Sequence, residues 1–135
     1  MSVGKAAVTP QTFLSFDFSL KRVGVASGNS LTRSATPLRT ITADGDARFA
    51  AIAALIAEWQ PAALVVGVPF HPDGAAHDNT RRAQRFARQL SGRFSLPVHE
   101  VDERYTTTEA RAQGERDVDA AAAALILEQY LHNLA

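Results

Sequence analysis

The sequence predicts one α/β domain with a mixed five-stranded sheet flanked by helices. Three short runs of apolar and β-branched residues come first, and two further strand-like runs then alternate with segments of helical periodicity. A chain of 135 residues fits one such domain. We therefore expect an antiparallel meander of three strands, followed by two parallel strands that are reached through right-handed crossover connections.

The predicted meander consists of Thr12–Phe18, Arg22–Ser27 and Pro37–Thr42. Each run has the composition of a strand, and the short segment that starts at Ser19 separates the first two by a distance that suits a hairpin. The first strand is unusual because a charged residue, Asp17, interrupts its apolar pattern.

The rest of the predicted domain alternates helices with strands. Apolar residues recur at helical spacing over Phe49–Trp59, Pro61 ends this helix, and an aspartate of the turn at residues 44–46 is well placed as its N-cap. The run Ala62–Val68 is apolar throughout, which is typical of a strand that is covered on both faces. We interpret it as a central parallel strand.

The second predicted helix, with Asn79 as its N-cap, carries one apolar face and one arginine face. A further strand, Leu96–Val101, runs directly into three charged residues, 102–104, at the end of the strand where α/β proteins usually place their sites. Two more helices are predicted, a short one over Thr106–Gln113 and a last one that Asp117 or a neighbour caps.

Composition excludes several classes of function. The 14 basic residues balance 14 acidic ones, so a nucleic-acid partner would have to meet a local basic face. The chain has no cysteine, which excludes disulfides and thiolate chemistry and is compatible with the cytoplasm, where we expect the protein. Because no apolar run could span a bilayer and no secretory signal is recognisable, no membrane partner is expected. Residues 1–11 are small and polar and predict a flexible tail before a domain over residues 12–135.

Acidic residues stand at three positions where structural carboxylates are unusual. Asp17 lies inside the first strand, Asp102 and Glu103 end the last strand, and Asp119 lies in the first turn of the final helix. If the first and last strands approach each other in the sheet, these carboxylates converge and repel, and a hard divalent cation such as Mg²⁺ or Mn²⁺ would neutralise them. One or two such ions would support phosphodiester hydrolysis by water.

Each of these residues also has an ordinary structural interpretation. Asp17 could pair with Lys21 or Arg22 in the hairpin, and the pattern leaves both interpretations open. Glu103 could cap the helix that follows it. For Asp119 taken alone, a first-turn position is better explained by the helix macrodipole.

Basic residues provide candidates for binding a phosphate backbone. Lys21 and Arg22 lie beside Asp17, and we favour contact with nucleic acid for both. Arg81, Arg85 and Arg88 form a stripe on the second helix, for which a solvated surface is the more common explanation and phosphate contact the alternative.

Four segments together resemble one known family: FDFSLKRVGVA from Phe16, VVGVP from Val65, VDERYTTTEA from Val101 and VDAAAAALILEQYL from Val118. The chain resembles the YqgF/RuvX family of Holliday junction resolvases, which are also described as nucleases of the small-subunit ribosomal RNA precursor. The match extends over nearly all of the chain after residue 11. The four segments are specific in combination, whereas any one of them alone is weak.

The resemblance implies a ribonuclease H-like fold and a metal-dependent endonuclease that hydrolyses phosphodiesters of structured nucleic acid. It implies that Asp17, Glu103 and Asp119 are the catalytic and metal-binding residues, with Asp102 as an alternative ligand, and that the cofactor is Mg²⁺ or Mn²⁺. The preferred substrate is the 5′ end of the 16S ribosomal RNA precursor, and a DNA four-way junction is the alternative. A monomer or a homodimer is expected. The predicted nucleic-acid contacts are Lys21, Arg22 and Arg104, with Arg81, Arg85 and Arg111 as further candidates.

The chain departs from the family pattern in two places. Ser19 and Leu20 stand where the family usually has Gly-Thr, so the turn after Asp17 lacks a glycine that would allow close backbone approach. The loop at Gly114–Asp117 is also shorter than the family's. These departures leave a catalytically weak nucleic-acid-binding module for ribosome assembly as the alternative function.

Overall fold

The computed structural model describes residues 9–103 and 117–134, and these ranges contain five strands and three helices. The predicted helix Thr106–Gln113, the predicted contacts Arg104 and Arg111 and residues 1–8 of the predicted tail lie outside the described residues. The strands are β1 (Thr12–Phe18), β2 (Val23–Asn29), β3 (Ala35–Ile41), β4 (Ala63–Val68) and β5 (Val98–Asp102). The helices are α1 (Gly45–Trp59), α2 (Asp78–Phe94) and α3 (Val118–His132).

The five strands form one sheet in the order β3-β2-β1-β4-β5. β2 is antiparallel to both β1 and β3, whereas β4 is parallel to both β1 and β5. The predicted combination of an antiparallel meander with two parallel strands is therefore confirmed. β1 is the central strand, and β4 lies between it and β5, so the first and last strands are second neighbours rather than partners.

Helices cover both faces of the sheet. Side chains alternate along β1, so Leu14 and Phe16 pack with buried residues of α1 and α2, while Phe13 packs with Ile126 and other residues of α3 on the opposite face. Every residue of β4 is buried, as its continuous apolar run predicts. The two faces therefore belong to different helices, and the face that a strand residue occupies determines which helix it meets.

Four strands begin at different residues from those predicted. β2 and β4 each begin one residue later, at Val23 and Ala63. β3 begins at Ala35 rather than Pro37, because Ala35 already pairs with Gly28 of β2. β5 begins at Val98 rather than Leu96, where its parallel pairing with β4 starts. Periodicity within one segment cannot locate such ends, because the neighbouring strand defines them.

The beginning of α2 also differs from the prediction. The N-cap is His77, not Asn79, and the backbone N–H of Asn79 donates to Nδ1 of His77 at 3.1 Å. Thr80 reciprocates by accepting a hydrogen bond from the His77 backbone N–H at 3.0 Å, and its hydroxyl donates to the carbonyl of Pro69. Histidine is an uncommon N-cap, whereas asparagine is a preferred one, so the sequence favours Asn79, two positions later.

The end of the predicted tail is bound to the domain. Gln11, the last residue of the predicted tail, contacts Ser30, whose backbone N–H donates to the Gln11 carbonyl at 2.9 Å.

Within the described part of the chain, none of the helices combines the length and the apolar character needed to cross a membrane.

Candidate functional site

Asp17 lies near the carboxyl end of β1, between two glycines on the neighbouring strands. In the antiparallel pairing with β2 its partner is Gly24. In the parallel pairing with β4, Phe16 faces Val66, so the next position of the register sets Asp17 beside Gly67. By alternation along the strand, Asp17 is half-buried on the face that α3 covers.

Gly24 allows the first turn of α3 to lie directly against the sheet. A Cβ atom at this position would lie 2.0 Å from the carbonyl oxygen of Asp119, a distance that no side chain could tolerate. A buried hydrogen bond further along the helix, from the Ser15 hydroxyl to the Ala123 carbonyl at 2.7 Å, holds α3 over β1. The backbone of Asp119 is therefore placed over the partner residue of Asp17.

Gly67 of β4 likewise allows the side chain of Glu103 to lie directly against the sheet. A Cβ atom on Gly67 would lie 2.9 Å from the carboxyl carbon of Glu103 and 2.5 Å from Cδ1 of Ile126 in α3. The carboxyl group of Glu103 consequently lies over a position next to Asp17, on the same face of the sheet.

Asp102 lies on the opposite face from this group. It pairs with Val68, whose side chain belongs to the core beneath α1 and α2. Alternation along the strand therefore directs Asp102 and Glu103 to different faces. Of the two adjacent acidic residues, Glu103 shares the face of Asp17.

The carboxylate of Asp119 forms an ion pair with Arg22. Nε of Arg22 donates to Oδ2 of Asp119 at 2.8 Å, with the two side chains 55% and 27% exposed. The N-cap of α3 is Asp117, the residue named in the prediction, and it accepts from the Ala120 backbone N–H at 3.0 Å. Asp119 lies in the first turn of the helix, as predicted.

The hydroxyl of Thr40 donates to the same oxygen of Asp117 at 2.5 Å. This contact joins β3 to the first turn of α3. Together with the approach at Gly24, it places the start of α3, and hence Asp119, at a defined position on the sheet.

The turn between β1 and β2 is closed by Ser19. Its backbone N–H and its hydroxyl both donate to the carbonyl of Arg22, at 2.8 and 2.9 Å, and its hydroxyl accepts from the Arg22 backbone N–H at 3.2 Å. The replacement of the family's glycine by Ser19 therefore supplies a side chain that binds the turn internally. The hydroxyl also fixes the backbone of Arg22.

The side chain of Arg48 also binds this turn, and Arg48 was not among the residues predicted from the sequence. This side chain is only 7% exposed, and its Nη2 donates to the Leu20 carbonyl while Nε donates to the Ala43 carbonyl, both at 3.0 Å. A signal was present in the sequence, because Arg48 shares a helical face with the buried residues Ile52 and Leu55.

Four of the predicted nucleic-acid contacts belong to the described residues. Lys21 and Arg22 are exposed on the turn beside Asp17. Arg81 and Arg85 are exposed near the beginning of α2, which follows the carboxyl end of β4, and Arg81 forms a 3.4 Å ion pair with Asp78. Arg104 and Arg111 belong to the part of the chain that is not described.

The predicted metal ligands provide suitable atoms but are not gathered around one point. Asp17, Glu103 and Asp119 offer carboxylate oxygens, the ligands that Mg²⁺ and Mn²⁺ prefer. Within residues 9–103 and 117–134, however, no three His, Cys, Asp or Glu side chains stand close enough together to hold a metal ion. The chemistry of the three donors suits a divalent cation, and Arg22 occupies the carboxylate of Asp119 in this structure.

The sheet order and the position of its helices define the class of fold. The structure of T. thermophilus RuvC in complex with Holliday junction substrate superposes with a TM-score of 0.56 over 90% of this chain and 94% of that chain, at 13% sequence identity. A second structure, Archaeoglobus fulgidus Pelota, gives a TM-score of 0.51 at 10% identity, over 90% of this chain but 34% of its own. The predicted ribonuclease H-like fold is confirmed.

The chain belongs to the RuvX family, described as Holliday junction resolvase, which matches residues 11–133. A relative from Albidiferax ferrireducens is 67% identical over 95% of this chain and 82% of its own length. Another from Polaromonas is 68% identical over 92% of this chain and 90% of its own length. Both relatives carry the name "Putative pre-16S rRNA nuclease". The predicted membership in a family of nucleases and resolvases is confirmed.

Proposed function

We propose that the protein is a metal-dependent endonuclease that hydrolyses phosphodiesters of structured nucleic acid. The observation that supports this function most directly is the position of Asp17 between two glycines. The missing side chains of Gly24 and Gly67 admit the Asp119 backbone and the Glu103 carboxyl group to the same end and face of the sheet. Membership in the RuvX family supports nuclease chemistry for this group.

Asp17, Glu103 and Asp119 are the residues that would hold Mg²⁺ or Mn²⁺, and Glu103 is preferred over Asp102 because Asp102 lies on the opposite face. When bound, one or two such ions would activate a water and stabilise the leaving oxygen of a phosphodiester. Asp17 is central because it comes from the middle strand of the sheet, whereas the Asp119 backbone and the Glu103 carboxyl group lie over the glycines on its two sides. Its half-buried position limits competing water.

The nucleic-acid backbone would meet the basic residues around this group. Lys21 and Arg22 stand on a turn whose backbone is fixed by Ser19 and Arg48, so both side chains start from defined positions in the turn after Asp17. Arg81 and Arg85 on α2 extend the basic surface away from the site, and Arg104 and Arg111 remain predictions from sequence.

The preferred substrate is the 16S ribosomal RNA precursor at its 5′ end, because two relatives of more than 65% identity are named as nucleases of that RNA. Such an activity would operate in the cytoplasm. A DNA four-way junction is the alternative, supported by the description of the family. Either a monomer or a homodimer is compatible with these roles, and a two-fold junction would favour a dimer.

The test compares Asp17→Asn with the wild-type protein on both substrates, in Mg²⁺ or Mn²⁺ and in a chelator. We expect the wild type to cut one substrate only when metal is present and Asp17→Asn to cut neither. The variant should melt at an unchanged or higher temperature, because it removes a repelling charge from the group.

Asp46→Asn is the matched control, because the Asp46 side chain is 100% exposed and lies in α1, away from the site. It should cut as fast as the wild type. Cleavage by Asp17→Asn at the wild-type rate would disprove the proposed role of Asp17.

One observation favours the second candidate, a nucleic-acid-binding module without efficient chemistry. The carboxylate of Asp119 is already bound by Arg22, which would oppose a metal there. Calorimetric titration with Mn²⁺ separates the two functions, because the module should show no binding at millimolar concentration.

A further inference from the structure

We infer that Arg22 exchanges partners during the reaction cycle. In the structure it holds Asp119, and a metal that binds Asp119 would release the guanidinium to bind a phosphate of the substrate. This inference rests on the proposed function. It assigns Arg22 a coupling role that goes beyond simple contact with nucleic acid, because the residue would link metal occupancy to substrate affinity.

The contact between Arg22 and Asp119 has the geometry of a charge-assisted hydrogen bond. The separation of Nε and Oδ2 is 2.8 Å, within the range expected for a cationic nitrogen and a carboxylate. While the guanidinium is bound at Oδ2, its positive charge repels a divalent cation that approaches the same carboxylate. The cation and the guanidinium therefore compete for Asp119.

The exposure of the pair permits this exchange. The Arg22 side chain is 55% exposed and that of Asp119 is 27% exposed. Ion pairs in contact with water contribute little to stability, because both partners are well solvated when apart. A divalent cation held by Asp17, Glu103 and Asp119 together would gain more from the carboxylates than a single guanidinium does.

The backbone geometry keeps the released arginine at the site. The Ser19 hydroxyl accepts from the Arg22 backbone N–H, and Arg48 binds the Leu20 carbonyl in the same turn. Only the side chain of Arg22 therefore needs to move. Repulsion from the bound cation would direct it outward, and its planar fork suits the oxygens of a phosphate.

The exchange makes the two binding events cooperative. Metal binding frees an arginine for the substrate, and a substrate phosphate that captures Arg22 frees Asp119 for the metal. Because such coupling is reciprocal, each ligand should raise the affinity for the other by the same factor.

The first experiment measures Mn²⁺ affinity by titration with electron paramagnetic resonance, in wild type, Arg22→Gln and Arg33→Gln. We expect Arg22→Gln to bind Mn²⁺ about fivefold more tightly or better, because the ion no longer has to displace a guanidinium. Arg33→Gln removes the same charge from an exposed position in the turn between β2 and β3 and reports the effect of net charge alone, so its dissociation constant should stay within about twofold of the wild type.

The second experiment measures anisotropy of a labelled phosphorothioate RNA, which keeps the backbone charge and resists cleavage, with and without Mn²⁺. The wild type and Arg33→Gln should gain affinity when Mn²⁺ is added. Arg22→Gln should lose most of that gain, because it has no arginine to release.

The outcomes separate this inference from the proposed function. Equal Mn²⁺ affinity of wild type and Arg22→Gln would overturn the exchange and leave the metal-dependent nuclease intact. Failure of both proteins to bind Mn²⁺ would overturn the proposed function and the exchange together. Because Arg22 is exposed, thermal unfolding of each variant should match the wild type and confirm that the fold is unchanged.

Discussion

Single residues determine how closely the acidic groups approach Asp17. A charge inside an apolar strand marked Asp17 in the sequence, but the two glycines beside it had no such mark. Gly24 and Gly67 matter because α3 and Glu103 occupy the space that their side chains would fill. Ser19 and Arg48 act on the backbone of the adjoining turn. The placement of the candidate site therefore depends on residues that are not themselves candidate metal ligands.

Gly24→Ala tests this placement. The new Cβ would lie 2.0 Å from the Asp119 carbonyl oxygen, so the first turn of α3 has to move. We expect the free energy of unfolding to fall by about 1–3 kcal/mol, the usual cost of overpacking, and cleavage to fall because Asp119 is displaced. Chemical denaturation and a cleavage assay measure the two effects.

Gly92→Ala provides the matched control for this change. Gly92 lies within α2, and a Cβ there would meet nothing within 4 Å. Alanine is the better helix former, so this variant should be more stable by about 0.5–1 kcal/mol with unchanged cleavage. Equal stability of Gly24→Ala and Gly92→Ala would contradict the close packing of α3 on β2.

Elements were predicted most reliably where their pattern is internal to one segment. β1 begins and ends at the predicted residues, and β4 is buried throughout as predicted. The predicted N-cap of α2 was wrong because the imidazole of His77, rather than the side-chain amide of Asn79, accepts the first hydrogen bond of the helix. The ends of β3 and β5 follow their partner strands, so a pattern within either segment could not locate them.

The cap of α2 gives a prediction at the scale of this element. His77→Ala removes the acceptor for the Asn79 N–H, and we expect the free energy of unfolding to fall by about 1 kcal/mol. His77→Ser keeps an oxygen acceptor at the cap and should retain most of that stability. Thermal or urea unfolding measures both variants. A His77→Ala protein as stable as His77→Ser would show that the cap contributes nothing.

For the whole molecule, the distribution of charge matters more than its sum. The net charge is zero, yet α2 carries five arginines against one aspartate. A polyanion would therefore be attracted by one side of the protein rather than by its overall charge. The beginning of α2 follows the carboxyl end of β4, so this basic helix starts at the same end of the sheet as Asp17.

The salt dependence of nucleic-acid binding tests whether this helix contacts phosphates. Arg81→Gln and Arg85→Gln should each lower the slope of log affinity against log salt by about 0.7–0.9, the contribution of one phosphate contact. Arg33→Gln is the control, because Arg33 is also exposed but lies in the turn between β2 and β3. An identical slope for all three variants and the wild type would assign α2 to a solvated surface.

The sequence by itself determined the fold class, most of the elements and the acidic residues of the candidate site. These are local properties, because hydrophobic period and a misplaced charge are visible within a single segment. Only the tertiary structure decided that β4 separates β1 from β5, that Glu103 rather than Asp102 shares the face of Asp17, and that Arg22 holds Asp119 across 97 residues of chain. The physical reason is that register and packing between distant segments, rather than any local pattern, determine which side chains meet at the site.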